Sequence, residues 1–283
     1  MILEQRAAAP LRAAVFLAAL LAFPPPAAVG EGADPFPGVA ASYLMKVDGK
    51  AVWEHRPDRR LPPASLTKMM TALLVLERGR PAEVATVGAD AARETGTRIG
   101  LKQGDRMLVP DLLAAALLGS ANDAAHALAD HLEGTEERFV RRMNARAASL
   151  GMRNTRFANA TGHHHPDHYS TARDLAILAE AALAHERFAA LVSTVRMNVR
   201  TVDGSRTFPL ENKNEMVGRY RGAVGVKTGY TREAGPCLVA AARRGETRLL
   251  LVLLNAPNRW WDAVDMLDAA FSLSGKGAAE GRR

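Results

Sequence analysis

The sequence predicts a mixed α/β (α+β) fold in which one antiparallel sheet is built from both ends of the chain. Helices flank the sheet, and a mostly helical lobe is inserted between its two halves. Three observations predict this. Strand patterning occupies 41–54 and returns at 195–254, while 65–184 between them is patterned for helix. The chain shows no internal repeat and no long linker. Its 283 residues, 48% hydrophobic and 24% charged, have room for one large domain or two small ones.

The elements follow in order. Ala41 to Val47 and Ala51 to Glu54 flank Asp48 and Gly49, the sequence of a tight hairpin turn. Pro62 and Pro63 stop the chain, and Ser65 to Leu76 is apolar on nearly every side after its first turn, which predicts a buried helix. Helices are predicted over 111–118, 122–132 and 136–150. A further one over 171–184 has Thr171 and Asp174 spaced as a capping box. A second hairpin flanks Asp203 and Gly204, and 222–228 is a short candidate strand. The apolar runs 238–242 and 247–254 read as central strands. A closing helix spans 258–271, with Trp260 and Trp261 packing its start.

Both termini read as something other than fold. Arg6 and Arg12 precede an eleven-residue apolar run, Ala13 to Phe23, which three prolines end before small residues follow. A bilayer span needs about 20 apolar residues, so 1–30 is predicted to be a signal peptide of an exported protein. No later run reaches 18 apolar residues, so no membrane span is expected. Residues 31–274 form the expected domain and 275–283 a polar tail.

Composition excludes several classes. Cys237 is the single cysteine, so neither an internal disulfide nor a cysteine-ligated zinc site can form; in an apolar strand it reads as a small core residue. Lys and Arg total 37 against 30 Asp and Glu, but the basic residues are scattered rather than striped, which argues against nucleic acid as a partner. Only seven of the 37 are lysines.

Two of those seven lysines fall in short motifs that carry chemistry. Ser65 and Lys68 are three apart, hence on one face of a helix start, where a lysine of depressed pKa can take the serine proton. Nine serines and seven lysines give roughly 0.2 such spacings by chance, so alone the motif is weak. Ser120 and Asn122 follow an apolar run and could relay a proton and hold an amide, although Ser or Asn before a helix is usually an N-cap. Lys227, Thr228 and Gly229 end an apolar strand, where Lys and Thr suit a carboxylate and Gly lets a substrate backbone lie close.

Together, the order S-x-x-K, S-x-N, K-T-G is that of the serine penicillin-recognising enzymes. The longer segments PASLTKMMT (63–71), GSANDA (119–124), NATG (159–162), HYSTARDL (168–175), GVKTGYT (225–231) and Ala234-Gly235 are more specific. Through them the chain, from about Ala41 to Phe271, resembles the low-molecular-mass penicillin-binding proteins that are serine-type D-alanyl-D-alanine carboxypeptidases. The resemblance implies a DD-peptidase/β-lactamase-like fold. It implies that Ser65 attacks the carbonyl between the two D-alanines of a peptidoglycan stem pentapeptide, Lys68 accepts the proton, and Ser120 passes one to the leaving D-alanine. Asn122 would hold the peptide amide, and Lys227 and Thr228 the terminal carboxylate. The strand at Gly229 would admit the substrate, and the backbone N–H groups of Ser65 and Tyr230 would form the oxyanion hole. β-Lactams would acylate Ser65 as substrate mimics. No metal or other cofactor is implied, and the expected location is periplasmic or otherwise extracytoplasmic.

Two departures stand out. Many members carry a further C-terminal β-domain and an amphipathic anchor, whereas only 54 residues follow Gly229 here, so neither that domain nor a stable membrane anchor is expected. A hydrophobic residue often follows the Gly162 position, but here His163, His164, His165, Asp167 and His168 follow it. These could bind a metal; a polar loop is the plainer reading. Alternatives for the whole chain are a DD-endopeptidase of the same family, a class A-like β-lactamase, or a non-catalytic wall-binding regulator. The β-lactamase places a Glu and an Asn four apart between the second and third motifs, and no Glu between Asn122 and Lys227 has such a partner. The regulator would be expected to lose Ser65 or Lys68.

Overall fold

The computed structural model describes residues 34–78, 80 and 82–273. The expected signal peptide (1–30) and polar tail (275–283) lie outside them. Strands β1 (Ser42–Val47) and β2 (Lys50–His55) form the first hairpin, with Asp48 and Gly49 both at positive φ, 48° and 81°. That is the turn conformation whose twist matches paired strands. A 3-10 turn at Ala64–Thr67 leads into helix α1 (Lys68–Arg78).

The lobe comes next. It holds a two-stranded pair, β3 (Val84–Thr86) with β4 (Arg106–Leu108), and a short helix α2 (Ala89–Arg93) between them. Helices α3 (Val109–Leu117), α4 (Asn122–Glu133) and α5 (Glu136–Ser149) follow. Gly134 at φ 81° ends α4 in a left-handed C-cap. Helices α6 (Ala172–Leu183) and α7 (Glu186–Ser193) and the hairpin β5 (Arg196–Arg200) with β6 (Thr207–Glu211) complete the middle of the chain.

Half of the expected capping box forms at α6. Thr171 Oγ1 accepts from Asp174 N at 3.1 Å, but the Asp174 carboxylate turns to Asn154 N and Thr155 Oγ1, at 2.8 and 2.7 Å. It ties down the preceding loop instead of closing the box.

Strands β7 (Ala223–Thr231), β8 (Gly235–Arg244) and β9 (Thr247–Leu254) return to the sheet, and helix α8 (Arg259–Leu273) closes the described chain. The sheet order is β2-β1-β9-β8-β7, antiparallel throughout. The sheet is therefore built from both chain ends, as the patterning predicts, and β9 and β8 lie inside it. Strand β9 reads TRLLLVLL because both of its faces are covered. Leu250, Val252 and Leu254 join the core shared with α1, α4 and α6. Leu249, Leu251 and Leu253 pack with Met266, Leu267, Ala270 and Phe271 of α8. Cys237 is buried in β8. Trp260 packs at the edge of this second core, but Trp261 is 77% exposed and does not pack the helix start as expected. Leu251→Ala should lower the unfolding free energy by about 2–5 kcal/mol, since a fully buried side chain leaves a cavity between sheet and helix. A urea melt with an unchanged midpoint would contradict this packing.

Candidate active site

Pro62 and Pro63 restrict the chain, and Ala64 then takes φ 48°, a left-handed conformation that is costly for a residue with a Cβ. This bend, not the first turn of an α-helix, carries Ser65. The α-helix starts three residues later, at Lys68. Leu66 N donates to Pro63 O at 3.2 Å, and Thr67 Oγ1 donates to Ala64 O at 2.8 Å. His168 supports the bend from below, its Nε2 lying 2.9 Å from Thr67 Oγ1. Because the Thr67 proton is committed to Ala64, His168 donates through Nε2 and leaves its buried Nδ1 without a partner. Burial, with the nearby His165, pushes this imidazole down to about 3, so it stays neutral.

Two glycines clasp the bend from either side. A Cβ on Gly162, whose φ is 93°, would stand 2.0 Å from Ala64 O. A Cβ on Gly229 would stand 3.0 Å from Ser65 N and 3.1 Å from Pro63 O. Strand β7 thus runs directly against the backbone of Ser65.

Lys68 is wholly buried. Its Nζ lies 3.0 Å from Ser65 Oγ and donates to Asn122 Oδ1 and Thr161 O, both at 2.6 Å. Burial, and next the charge of Lys227, hold its proton affinity well below the ordinary lysine value, against weaker opposition from Glu94 and Asp123. A neutral amine has two N–H groups and one lone pair. The two carbonyl oxygens take the N–H groups, which leaves the lone pair for the Ser65 hydroxyl proton.

Asn122 is the first residue of α4. Its Oδ1 is committed to Lys68, and its Nδ2 donates to Thr95 O at 2.7 Å. His163 Nε2 lies 3.2 Å from the same nitrogen. The buried carboxylate of Asp123 next door accepts from Gly100 N and Leu101 N, both at 2.9 Å, and so fixes the neighbouring loop. Ser120 sits in the bend before α4 at φ 58°. Its Oγ accepts from Lys227 Nζ at 2.9 Å, and Lys227 also donates to Thr228 O at 2.9 Å. This contact joins the sheet to the helical lobe. Burial, followed by the positive charge of Arg259, lowers Lys227 to about 7.

Of the eight residues singled out from sequence, Ser65, Lys68 and Asn122 meet directly, and Ser120 pairs with Lys227. Thr228 and Gly229 follow Lys227 along β7, and Tyr230 is 65% exposed at the rim. A cleft of about 370 Å³ is lined by Ser65, Asn122, Thr161, His163, Tyr230 and Thr231 among others. A larger groove of about 820 Å³, beside α1, α3 and α7, holds none of the eight.

Sequence reasoning missed several contributors. Thr161 serves through its carbonyl, which no side-chain pattern reveals. Arg259 Nη1 donates to Gly229 O at 3.3 Å. Glu94 accepts from His163 Nε2 at 2.9 Å and from His126 Nδ1 at 2.7 Å. The histidines of the 163–168 loop diverge. His163 faces Glu94, His165 Nδ1 accepts from Asp167 N at 3.0 Å, and His168 lies under Thr67. Among the described residues no three donors of that loop converge by themselves.

Gly162→Ala should cost about 2–4 kcal/mol of stability, from the left-handed backbone and a methyl driven into Ala64 O. Chemical denaturation measures it, and a loss below about 1 kcal/mol would mean that the bend is not clasped as described.

Known proteins resemble the chain over most of its length. The sequence profile described as D-alanyl-D-alanine carboxypeptidase matches residues 36–258. D-alanyl-D-alanine carboxypeptidase DacF of Bacillus subtilis (strain 168) is 38% identical over 241 residues, covering 82% of this chain and 62% of that protein. The chain thus spans less than two thirds of the length of this relative. A D-alanyl-D-alanine endopeptidase of Escherichia coli (strain K12) is 34% identical, covering 81% of this chain and 76% of that protein. The crystal structure of a Streptomyces DD-transpeptidase superposes with a TM-score of 0.78 at 31% identity, covering 83% of this chain and 97% of that one. With the predicted fold found and three quarters or more of the chain matched, the protein belongs to the D-alanyl-D-alanine carboxypeptidase family.

Proposed function

We propose that the chain is a serine-type D-Ala-D-Ala carboxypeptidase that cleaves the terminal bond of peptidoglycan stem pentapeptides. The observation that carries this reading is the Lys68 amine. It is buried, kept neutral, held by two carbonyl oxygens and 3.0 Å from Ser65 Oγ. Lys68 takes the Ser65 proton as Oγ attacks the carbonyl between the two D-alanines. The oxyanion forms against the N–H groups of Ser65 and Tyr230, and the close approach of Gly229 to Ser65 N supports that pairing. The C–N bond then breaks, Ser120 delivers its proton to the departing amine, and the proton that Lys68 took from Ser65 replaces it, which returns Lys68 to its neutral form. Water hydrolyses the ester: Lys68 takes a proton from the attacking water and returns it to Ser65 Oγ as the acyl C–O bond breaks. Asn122 holds the peptide amide through Nδ2, since its oxygen is already committed to Lys68. Lys227 and Thr228 receive the terminal carboxylate. β-Lactams stop at the acyl-enzyme.

The same reading places the protein outside the cytoplasm, with 1–30 as its export signal and 31–274 as the catalytic domain. No helix among the described residues is long and apolar enough to cross a membrane.

The direct test is mass spectrometry after benzylpenicillin, followed by D-alanine release from a pentapeptide. One covalent adduct per chain is expected, lost in Ser65→Ala with the fold retained; an adduct persisting in that variant would remove Ser65 as nucleophile. Lys68→Arg should also fail to acylate, because an arginine keeps its proton at any working pH. Near-normal acylation would reduce Lys68 to a positioning group.

The pH profile follows from the two lysines. Activity requires Lys68 neutral, so kcat/KM rises as pH climbs through its lowered pKa. It requires Lys227 charged for the carboxylate, so kcat/KM falls above about pH 7, where the free enzyme loses that proton. Lys227→Gln should lower kcat/KM about 100-fold, remove the alkaline limb and move the acid limb upward, because Lys68 then binds its proton more tightly. A variant with the wild-type rate and profile would show that Lys227 does not serve the substrate.

A further inference from the structure

We propose that Glu94, His126 and Glu136, with His163 beside them, form a binding site for one divalent transition-metal ion of the Zn2+ class, separate from the reacting serine. The four side chains come from four segments: the turn after α2, the middle of α4, the first residue of α5, and the loop after Gly162. One donor atom each from Glu94, His126 and Glu136 lies within 4.8 Å of the other two. Glu94 faces both imidazoles, with Oε1 2.7 Å from His126 Nδ1 and Oε2 2.9 Å from His163 Nε2. Ligands about 2.1 Å from a tetrahedral ion sit about 3.4 Å apart. The close pairs therefore open by about 0.5–0.7 Å, and Glu136 closes in.

The surroundings suit an ion rather than a surface tangle of charges. The Glu94 and His126 side chains are each only 12% exposed. Glu136 Oε1 accepts from Ala160 N at 2.8 Å, a main-chain contact that orients the carboxylate and leaves its second oxygen for the ion. His126 presents Nδ1 to the cluster while its Nε2 looks back at Asp130 Oδ1, 3.7 Å away. Carboxylates in that outer position orient metal-bound imidazoles. Two carboxylates and the one imidazole, coordinating as a neutral ligand, carry a charge of −2, which a divalent ion balances. One nitrogen and two oxygens converge without thiolate, and water or the adjacent His163 can complete the coordination, a donor set that suits Zn2+ and its first-row neighbours. His163 also lies 3.2 Å from Asn122 Nδ2, so an ion that engages His163 restrains the neighbour of the reaction centre without entering the chemistry.

Zinc titration of the chelator-treated full chain tests this without reference to activity. Calorimetry should show one equivalent bound with a Kd of about 1 μM or tighter, and saturating Zn2+ should raise Tm by several degrees. His126→Gln and Glu136→Gln should each weaken binding at least tenfold, while the double change His164→Ala and His165→Ala should leave it intact. Co2+ added to the wild type should give the visible absorption of a four-coordinate N/O site, a readout that needs no variant. The proposal is overturned if the wild type binds no stoichiometric Zn2+. It is overturned equally if binding survives His126→Gln and Glu136→Gln but disappears with His164 and His165, which would assign the ion to the exposed loop.

Discussion

The site depends on an amine that cannot afford a charge. Buried Lys68 loses the hydration that would stabilise its ammonium, and Lys227 adds a repelling positive charge. Once neutral, it has only two protons to give, and Asn122 and Thr161 take both through oxygen atoms at 2.6 Å. Much of the site's architecture follows. Asn122 must point its oxygen inward, so its nitrogen faces Thr95 and His163. The Thr161 carbonyl must reach the amine, so Gly162 must pass within a methyl's width of Ala64. The Ser65 hydroxyl remains the single oxygen beside the lone pair.

That arrangement costs stability, and the fold supplies it elsewhere. Ala64 and Ser120 both sit at positive φ, each worth roughly 1–3 kcal/mol of strain. Both bends are held by groups that do not react. Thr67 and His168 brace the first, and Lys227 reaches across to the second. The sheet beneath is anchored by β9, with both faces in apolar cores. A rigid platform of this kind lets reactive groups remain partly unsatisfied.

Much of this was legible in the sequence, for identifiable reasons. Hairpins at Asp48-Gly49 and Asp203-Gly204 announce themselves through residues that accept left-handed backbone. The buried strand β9 announces itself through an unbroken apolar run. The motif lysines stood out because lysine is rare here. Other features had no local signal. Strands β3 and β4 are three residues each, too short for any period to appear, and α7 is a brief helix between a longer helix and a hairpin. Thr161 contributes a carbonyl, which every residue has. Glu94 meets His126 and His163 only after folding brings three segments together. Ser65 was expected in the first turn of an α-helix; the positive φ of Ala64 instead creates a 3-10 turn, because Pro62 and Pro63 hold the approach. Trp261 shows the limit of hydrophobicity as a guide to burial, since it lies exposed on α8.

The pairing of β1 with β9 bears on how the molecule can be made. Ser42 lies opposite Leu254, so the first strand waits for the last before its inner edge is covered. Strand β7, which presses on Ser65, likewise arrives after the helical lobe has been synthesised. Such long-range closure is slow, and it leaves no early fragment able to complete the sheet. A chain emerging from the ribosome therefore carries Ser65 and Lys68 as ordinary solvated side chains. The pairing of Ser65 with Lys68 is assembled only when the whole polypeptide has collapsed, a delay set by the order of the strands.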